Sequence, residues 1–308
     1  MSEPLVTVVL PAYNHQDFVE DSINAIISQD YKNIELIILN DGSKDNTHQV
    51  ISSLIEKCKA RFIRFEYINK INEGLANTLN QGVLWSKANY ITVIASDDIM
   101  KANKVSILAN ALFDTSNEIA LSYADADFID NHGDYIFLDD KGNVCQNNTG
   151  WGTFISFYTR RRKDIKDNFF NYKALLKGNF LPAMSVMWKT DALKKVGMFT
   201  PNVIIEDWDL WLRMARSFQA VYVPHIVASY RWHETNTVKT ATVKLLKAQD
   251  IILKREFYFE HNKKNTKNII LYLLCLNSAR LFVAKEYRFA LKSLLDVGFM
   301  FFGIKQKV

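Results

Sequence analysis

The first 125 residues alternate short apolar runs with amphipathic segments, and this alternation restricts the possible folds more than any other feature of the chain. Five runs rich in Val, Ile and Tyr, each about four to seven residues long, suit strands that are buried on both faces. They span residues 6–10, 34–39, 62–67, 90–95 and 119–123. Between them, apolar residues recur at helical spacing, as at Val19, Ile23 and Ile26. This order predicts an α/β fold with a mostly parallel sheet and helices on both faces, whose ligands bind beyond the carboxyl ends of the strands.

The rest of the chain predicts a second αβ section followed by helices. We expect a hairpin around residues 131–133, and the polar, Gly-containing residues 139–166 predict an active-site flap. Further strands and helices are expected at residues 185–188, 191–196, 206–216, 220–223 and 226–232. Beyond residue 237 only helical periodicity remains.

The composition is that of a globular protein from a reducing compartment. The 308 residues suffice for about two domains, and 48% of them are hydrophobic. Cys58, Cys145 and Cys275 are odd in number and far apart, so we expect neither a disulfide framework nor a cysteine metal site. The sequence lacks a secretory signal pattern, and no stretch approaches the roughly 18 apolar residues of a membrane span. We therefore expect a cytoplasmic protein without a transmembrane anchor.

The positive charge is concentrated near the end of the chain. Residues 254–308 carry 11 basic and 4 acidic side chains, a net of +7, which leaves −2 of the total +5 for the first 253 residues. The basic residues include Lys263, Lys264, Lys267, Arg280, Arg288, Lys305 and Lys307. The apolar helix faces between them either pack on the core or rest on the anionic inner face of a membrane. Because no nucleic-acid-binding signature accompanies them, we expect no nucleic acid partner.

Polar loops follow three of the predicted strands. Pro11, Ala12, Tyr13 and Asn14 follow the first strand, Asp41-Gly42-Ser43 the second, and Ser96-Asp97-Asp98 the fourth. The loop at residues 41–47 also suits a turn with Thr47 as a helix cap. Adjacent carboxylates such as Asp97 and Asp98 repel each other unless a cation or hydrogen bonds neutralise them, and Mg²⁺ or Mn²⁺ does this well. The alternative is a solvated acidic turn at a helix start.

Two later segments carry further candidates. Residues 206–213 begin a predicted helix with three carboxylates, which either only complement the helix dipole or include a general base. Asp207 and Trp211 lie on one face, so an acid and an aromatic ring could meet a sugar acceptor together, with Glu206 beside them. Arg231 and His233 follow the last predicted strand, either as a phosphate clamp and a metal ligand or as an exposed strand end.

Together these motifs resemble glycosyltransferase family 2, which has the GT-A fold. The resemblance covers about residues 4–235 and rests on five motifs in the right order and at the right intervals. These motifs are Val8-Val9-Leu10-Pro11-Ala12-Tyr13-Asn14, Asp41-Gly42-Ser43-Lys44-Asp45-Asn46-Thr47, the segment from Asn72-Glu73-Gly74-Leu75-Ala76 through Asn80-Gln81-Gly82, Ser96-Asp97-Asp98, and Glu206-Asp207-Trp208-Asp209-Leu210-Trp211-Leu212-Arg213. The resemblance implies a Rossmann-like nucleotide-binding half at residues 1–125, an acceptor-binding half at 126–238 and a helical extension at 239–308.

The resemblance also implies an activity and a set of roles. The activity is the inverting transfer of one sugar from a nucleotide-diphosphate sugar, most often a UDP-sugar, with a divalent cation. The acceptor would be a glycan or a lipid-linked glycan of a surface polysaccharide. Pro11, Ala12, Tyr13 and Asn14 would line the base pocket, Asp41 would bond the base, Asp97 would meet the ribose or the metal, and Asp98 the metal. Asp207 would be the catalytic base, Glu206 and Trp211 would contact the acceptor, and His233 would lie near the diphosphate or metal.

This chain departs from the family pattern at two positions. Where relatives show Asp-x-Asp-Asp, it has Ala95-Ser96-Asp97-Asp98, which leaves the division of roles between the two aspartates open. Leu79 replaces an Arg usual in relatives, and Lys70 is the substitute we expect. The processive signature Gln-x-x-Arg-Trp is absent, which favours the addition of single sugars.

Other functions fit the sequence less well. A sugar-1-phosphate nucleotidyltransferase or a dinucleotide-dependent oxidoreductase would need a Gly-rich loop after the first strand. The motifs alone leave a non-catalytic nucleotide-sugar-binding protein open.

Overall fold

The computed structural model describes residues 3–146, 149–162, 169–260 and 264–301. Its strands are β1 (Val6–Ala12), β2 (Ile34–Asn40), β3 (Arg64–Asn69), β4 (Tyr90–Val93), β5 (Ile99–Met100), β6 (Ile119–Ile129), β7 (Val186–Lys189) and β8 (Gln219–Arg231). Its helices are α1 (Val19–Ile27), α2 (Thr47–Arg61), α3 (Leu75–Trp85), α4 (Lys104–Leu112), α5 (Phe154–Thr159), α6 (Tyr172–Leu176), α7 (Thr190–Lys195), α8 (Glu206–Ala215), α9 (Thr237–Thr240), α10 (Thr242–Phe259), α11 (Lys264–Val283) and α12 (Tyr287–Phe301).

Within the described residues, the strands form one sheet in the order β3-β2-β1-β4-β7-β6-β8-β5. The first four strands of this order are parallel, as the alternating pattern predicts. β7, by contrast, is antiparallel to both β4 and β6, and β5 is antiparallel to β8. The predicted α/β class is therefore confirmed, while the second half of the sheet is mixed because β7 enters it in the opposite direction.

The two faces of the sheet support two separate cores, because successive side chains of a strand point to opposite faces. Val8 and Leu10 of β1 pack in one core with α1, α2 and α4, whereas Val9 belongs to the other with α3 and α8. Every residue of β1 and β2 is buried, as expected for strands covered on both faces.

Three predicted elements differ in the structure. The third strand begins at Arg64 rather than at residue 62, because Phe62 ends α2. The hairpin around residues 131–133 is a turn with an isolated bridge between Ile129 and Tyr135. The strand pair at 220–232 is the single strand β8, which follows β6 through bulges. The long partner strand β6 supplies hydrogen-bonding groups along its whole length, so β8 need not turn.

The C-terminal helices belong to the second core. Leu253 and Phe257 of α10 and Ile270 and Leu274 of α11 are buried in the cluster that contains Trp211. In the described part of the chain, no helix is both long and apolar enough to cross a bilayer. Three of the basic residues expected in this region, Lys263, Lys305 and Lys307, lie outside the described residues.

Candidate active site

The loops after β1 and β2 are joined by hydrogen bonds between backbone and side chains. Asn14 N donates to Ser43 Oγ at 2.9 Å, and Lys44 N donates to Asn14 Oδ1 at 2.7 Å. The predicted cap role of Thr47 is wrong: α2 begins at Thr47, whose N–H donates to Asp45 Oδ1 at 3.0 Å. Pro11 and Ala12 are buried in this arrangement, and Tyr13 is 45% exposed at the carboxyl edge of the sheet.

Asp41 is bound by the loop that follows β3. Its carboxylate accepts hydrogen bonds from Glu73 N and Gly74 N, both at 2.9 Å, and lies 2.8 Å from Lys70 Nζ. Burial opposes ionisation of Asp41, but the bonds from Lys70 and Glu73 N outweigh it and lower its pKa. Lys70 also pairs with Glu73 at 2.6 Å. The two residues expected to contact the donor therefore pair with each other here and hold the loop at residues 70–74.

Asp97 lies between two histidines. Its Oδ2 is 3.1 Å from His233 Nε2 and 3.7 Å from His15 Nε2. Burial opposes ionisation of Asp97, but the hydrogen bond with His233 and the nearby His15 outweigh it and lower its pKa. The other nitrogen of each ring is held by a hydroxyl, Thr235 Oγ1 for His233 and Ser96 Oγ for His15. Sequence reasoning missed His15, which stands two positions after Tyr13 with no metal-binding spacing to mark it.

Asp98 has a different environment from its neighbour. It is 2% exposed, and its Oδ1 accepts a hydrogen bond from Arg231 N at 3.0 Å. Burial, together with the charge of Asp97, raises its pKa well above the usual range. Lys104 is fully buried, and burial lowers its pKa to about 7 although the charge of Asp98 opposes this. Asp97 rather than Asp98 is therefore the carboxylate that contacts His233, and the role of Asp98 as a metal ligand stays a prediction. The burial of Asp98 shows that the alternative, a solvated acidic turn, is wrong.

Arg231 is neither a phosphate clamp nor an exposed strand end. Its side chain is fully buried, and its guanidinium donates to the carbonyl oxygens of Asp97, Asp130 and Asn131 at 2.8 to 3.0 Å. It also pairs with Asp21 at 3.2 Å. Asp98 accepts a hydrogen bond from the backbone N–H of the same arginine. Because Arg231 is the last residue of β8, this strand fixes the position of both aspartates.

Asp207 lies in the first turn of α8. Its Oδ2 accepts a hydrogen bond from Asn179 Nδ2 at 2.7 Å, and its Oδ1 accepts one from Trp208 N at 2.7 Å. Burial raises the pKa of Asp207, as a general base requires. Burial and the charge of Asp207 together raise the pKa of Glu206 to about 8. Asn179 Oδ1 is buried and has no hydrogen-bond partner among the described residues.

Trp211 stacks on another tryptophan, and its contact with an acceptor stays a prediction. It is fully buried, and its ring stacks on Trp188 with centroids 5.7 Å apart and an interplanar angle of 14°. Asp207 and Trp211 lie on one face of α8, one turn apart, and both line a common cavity. Tyr158 and Tyr230 line the cavity as well.

One cavity of about 1410 Å³ connects these parts. Pro11, Asp98 and Asp207 line it, and so do Glu73 and Gly74, whose N–H groups bind Asp41. The candidate base and the loops that are expected to bind the donor therefore face a common cleft. Residues of α10 and α11 line it as well.

Part of the predicted flap lies in the described residues, which leave out 147–148 and 163–168. Its described part contains a turn in which Asp139 accepts hydrogen bonds from Lys141 N and Asn143 N, and then α5. Arg161 and Arg162 follow α5 and line the cavity.

The chain is similar in sequence to known proteins. The family model described as glycosyl transferase family 2 matches residues 7–177. A Haemophilus influenzae protein named an uncharacterized glycosyltransferase is 26% identical and covers 89% of this chain and 95% of its own length. A Rickettsia typhi protein of the same description is 29% identical over 79% of this chain and 68% of its own.

Two solved structures show the same fold. One is the mannosyltransferase PcManGT from Pyrobaculum calidifontis in complex with GDP-Man and Mn²⁺, with a TM-score of 0.61, 15% identity and coverage of 96% of this chain and 74% of that chain. The other is Staphylococcus aureus TarS 1–349 in complex with UDP-GlcNAc, with a TM-score of 0.59, 13% identity and coverage of 88% and 71%.

Proposed function

The chain belongs to glycosyltransferase family 2, and we propose that it transfers a single sugar, with inversion, from a nucleotide-diphosphate sugar to a hydroxyl of a glycan acceptor. A UDP-sugar is the donor we favour, and the sugar nucleotides bound by PcManGT and TarS support this class of donor. The observation that carries the proposal is the single cavity that Pro11, Asp98 and Asp207 share. Pro11, Ala12, Tyr13 and Asn14 bind the base end of the donor, beside the loop that Asp41 and Lys70 hold.

Asp207 acts as the general base in one displacement. The acceptor oxygen bonds to the anomeric carbon, its proton moves to Asp207, and the electron pair of the breaking C–O bond leaves with the diphosphate. Asn179 holds the carboxylate in place at 2.7 Å. Glu206, with its pKa of about 8, is protonated at neutral pH and donates a hydrogen bond to the acceptor. Attack on the face opposite the leaving group gives inversion.

The chain offers a partial site for a divalent cation. The described residues contain no group of three acidic, His or Cys side chains arranged to hold a metal by themselves, so substrate oxygens would complete the shell. Asp97 and His233, with His15 beside them, provide a mixed oxygen and nitrogen set, which suits Mn²⁺ better than Mg²⁺. When bound, the cation neutralises the departing diphosphate.

The Asp207→Asn variant tests the central assignment. We expect it to turn over the donor about 10² to 10⁴ times more slowly, because proton transfer of this kind contributes that factor. Donor affinity should stay within about twofold, since Asn keeps the shape of the site. The measurement is Mn²⁺-dependent release of nucleoside diphosphate from a panel of nucleotide sugars.

The matched control is Asp191→Asn, an exposed acid in the first turn of α7. It should behave as the wild type does. Near-normal turnover by Asp207→Asn would remove Asp207 from the mechanism, and nucleotide-sugar binding without turnover by the wild type would indicate a binding protein.

We further propose that α12 rests on the anionic inner face of the cytoplasmic membrane, near a lipid-linked acceptor. One side of α12 is buried through Ala290, Ser293 and Met300. The other side exposes an apolar stripe at helical spacing, consisting of Tyr287, Leu291, Leu294, Leu295 and Phe299. Arg288 and Lys292 are exposed beside this stripe. An apolar stripe with basic flanks is the pattern of helices that lie in a membrane interface.

Co-sedimentation with vesicles tests the membrane proposal. The full chain should bind vesicles with anionic lipids more strongly than zwitterionic ones, and binding should fall with salt. The double variant Leu291→Asp with Leu295→Asp should lose binding, whereas Leu84→Asp, an exposed position on α3, should not. Equal binding by all three proteins would refute the role of α12.

A further inference from the structure

Trp208 follows the candidate base directly in the sequence and is held by two hydrogen bonds. Its backbone N–H donates to Asp207 Oδ1 at 2.7 Å. Its indole Nε1–H donates to the carbonyl oxygen of Leu175 in α6, also at 2.7 Å. Trp208 is 3% exposed, so little water competes for the indole bond. The residue therefore connects the carboxylate at the start of α8 with α6.

The turn after α6 supplies the donor for the other oxygen of Asp207. Leu175 O also accepts a hydrogen bond from Gly178 N at 3.2 Å, which closes this turn. Asn179 is the next residue, and its Nδ2 donates to Asp207 Oδ2 at 2.7 Å. The bonds from Trp208 and Asn179 thus join the same two short segments, residues 175–179 and 207–208.

Two hydrogen bonds between the same pair of segments support each other. The first bond already removes most of the freedom of movement that the second would have to remove. Here the indole bond holds the turn that leads to Asn179, and the amide of Asn179 then reaches Asp207 at little further cost in entropy. Burial raises the pKa of Asp207, and the bond from Asn179 is the largest contribution that opposes this rise.

We propose that Trp208 is a positioning residue, which holds Asn179 against the carboxylate of Asp207 through its bond to Leu175 O. Its effect on turnover rests on the proposed role of Asp207 as the general base, whereas its effect on the carboxylate does not. In the alternative, Trp208 only fills the core to which it belongs, and another aromatic ring would serve equally well there.

The Trp208→Phe variant removes the indole N–H and keeps an aromatic ring. Leu175 O retains the bond from Gly178 N and is not left unpaired. We expect the pKa of Asp207 to rise by about half a unit to one unit, because the bond from Asn179 weakens. The backbone amide of residue 208 reports this pKa, since its NMR chemical shift follows the ionisation of Asp207. The acid limb of kcat/KM for donor turnover should move to higher pH by the same amount.

The groups around Asp207 do not imitate this shift. Glu206 is protonated below its pKa of about 8. Burial raises the pKa of Tyr158 to about 12 and that of Tyr230 well above its usual range. The pKa of Asp209 is lowered, because its hydrogen bonds and ion pairs outweigh burial. The basic side chains that line the cavity from the segments after α5 and α6 are Arg161, Arg162 and Lys177.

Trp188→Phe is the matched control. Trp188 is 1% exposed, and its Nε1 has no hydrogen-bond partner in the part of the chain that the structure describes. This variant replaces a buried tryptophan of the same core without breaking a hydrogen bond, so the pKa of Asp207 should stay as in the wild type. A second control uses Asn179→Ala. In that background Trp208→Phe should cause no further shift, because the bond through which it acts is already absent.

The wild type and Asp207→Asn test the same coupling without a change at position 208. If the indole bond favours the ionised carboxylate, ionisation of Asp207 must strengthen the indole bond to the same extent. The chain has six tryptophans, so the indole N–H signals form a small set. The signal of Trp208 should move with pH in the wild type and stay constant in Asp207→Asn.

The same pKa of Asp207 in the wild type, Trp208→Phe and Trp188→Phe would overturn the inference, and so would an indole signal of Trp208 that ignores pH. Lower stability of Trp208→Phe with an unchanged pKa would show that the ring only packs. A shifted titration of the amide of residue 208 with an unmoved acid limb would support the positioning role and reject Asp207 as the base. The inference and the proposed function can therefore fail separately.

Discussion

Three carboxyl groups in the first turn of α8 differ in their pKa, although the sequence presents them as one acidic cluster. Burial keeps Glu206 protonated at neutral pH, with its pKa raised to about 8. Burial also raises the pKa of Asp207, but the hydrogen bond from Asn179 limits this rise. The pKa of Asp209 is lowered, because the hydrogen bond from Thr200 and the charges of Arg213 and Arg255 outweigh the effect of burial. The partners of each group, rather than its residue type, decide which one can accept a proton.

Replacing Asn179 should move the acid limb of the pH–rate profile. The Asn179 N–H stabilises the ionised form of Asp207, so Asn179→Ala raises the pKa of Asp207 further. A base must be deprotonated to act, and therefore the variant should lose activity at a higher pH than the wild type does. The measurement is kcat/KM for donor turnover against pH. Glu206→Gln should leave the limb in place, since Glu206 is already neutral below about pH 8; an unmoved limb in Asn179→Ala would contradict the assignment.

The sequence located the acidic residues of the site but not their partners. Asp207 can be recognised in the sequence because it lies in a motif at the start of a helix, and that motif is part of the family pattern. Asp97 and Asp98 are adjacent, so no pattern shows that one faces His233 while the other is bound by the backbone of Arg231, 133 positions away. His15 and Asn179 have ordinary sequence surroundings, and only the folded chain brings them to Asp97 and Asp207.

At the scale of elements, the proposed donor site depends on two loops that approach each other closely. Gly42, after β2, has a φ of +72°, and a Cβ there would lie 2.7 Å from Asn72 N in the loop after β3. Asn72 Nδ2 also donates to Asp41 O at 2.9 Å. A side chain at position 42 would therefore separate the loop at residues 70–74 from Asp41.

Gly42→Ala should destabilise the protein more than Gly133→Ala. Gly133 also has a positive φ, of +88°, but its Cβ would meet nothing within 4 Å. We expect about 1 to 2 kcal/mol for the backbone conformation alone at position 133, and about 2 to 4 kcal/mol at position 42, where steric overlap adds to it. Urea unfolding measures both values. Equal losses in the two variants would show that the loops can separate at no cost.

The order of the first strands and helices was predictable, and the second half of the sheet was not. Runs such as residues 34–39 are apolar throughout and alternate with helical spacing, which defines parallel βαβ units. β7 is a four-residue strand, and its sequence contains nothing that selects β4 and β6 as partners or the antiparallel direction. Strand pairing over such distances is decided by the packing of the whole sheet.

At the scale of the whole molecule, the C-terminal helices complete the catalytic part. Asp209 of α8 is fully buried and pairs with Arg255 of α10 and with Arg213 at 2.8 Å. Arg216 pairs with Glu256 of α10 in the same region. The division at residue 238 stays a prediction, but α10 and α11 supply part of the core that surrounds Trp211.

Asp209→Asn should lower the free energy of unfolding by about 3 kcal/mol, because it leaves the largely buried guanidinium of Arg213 without its counter-charge. Asp207→Asn should be at least as stable as the wild type, since it removes a charge that burial disfavours. Urea unfolding of the two variants beside Asp191→Asn measures this contrast. If Asp209→Asn were as stable as Asp191→Asn, the ion pairs would not join α10 to the catalytic part.

The position of β7 limits how this enzyme can move. Residues 186–189 come from the part of the sequence that is predicted to bind the acceptor, yet they are hydrogen-bonded to β4 on one side and to β6 on the other. A hinge rotation of the two halves would break these ladders in the middle of the sheet. Water must therefore be excluded during turnover by movement of the loops around the cavity, while the sheet beneath them stays rigid. The backbone of the sheet then sets the distance between the two substrates.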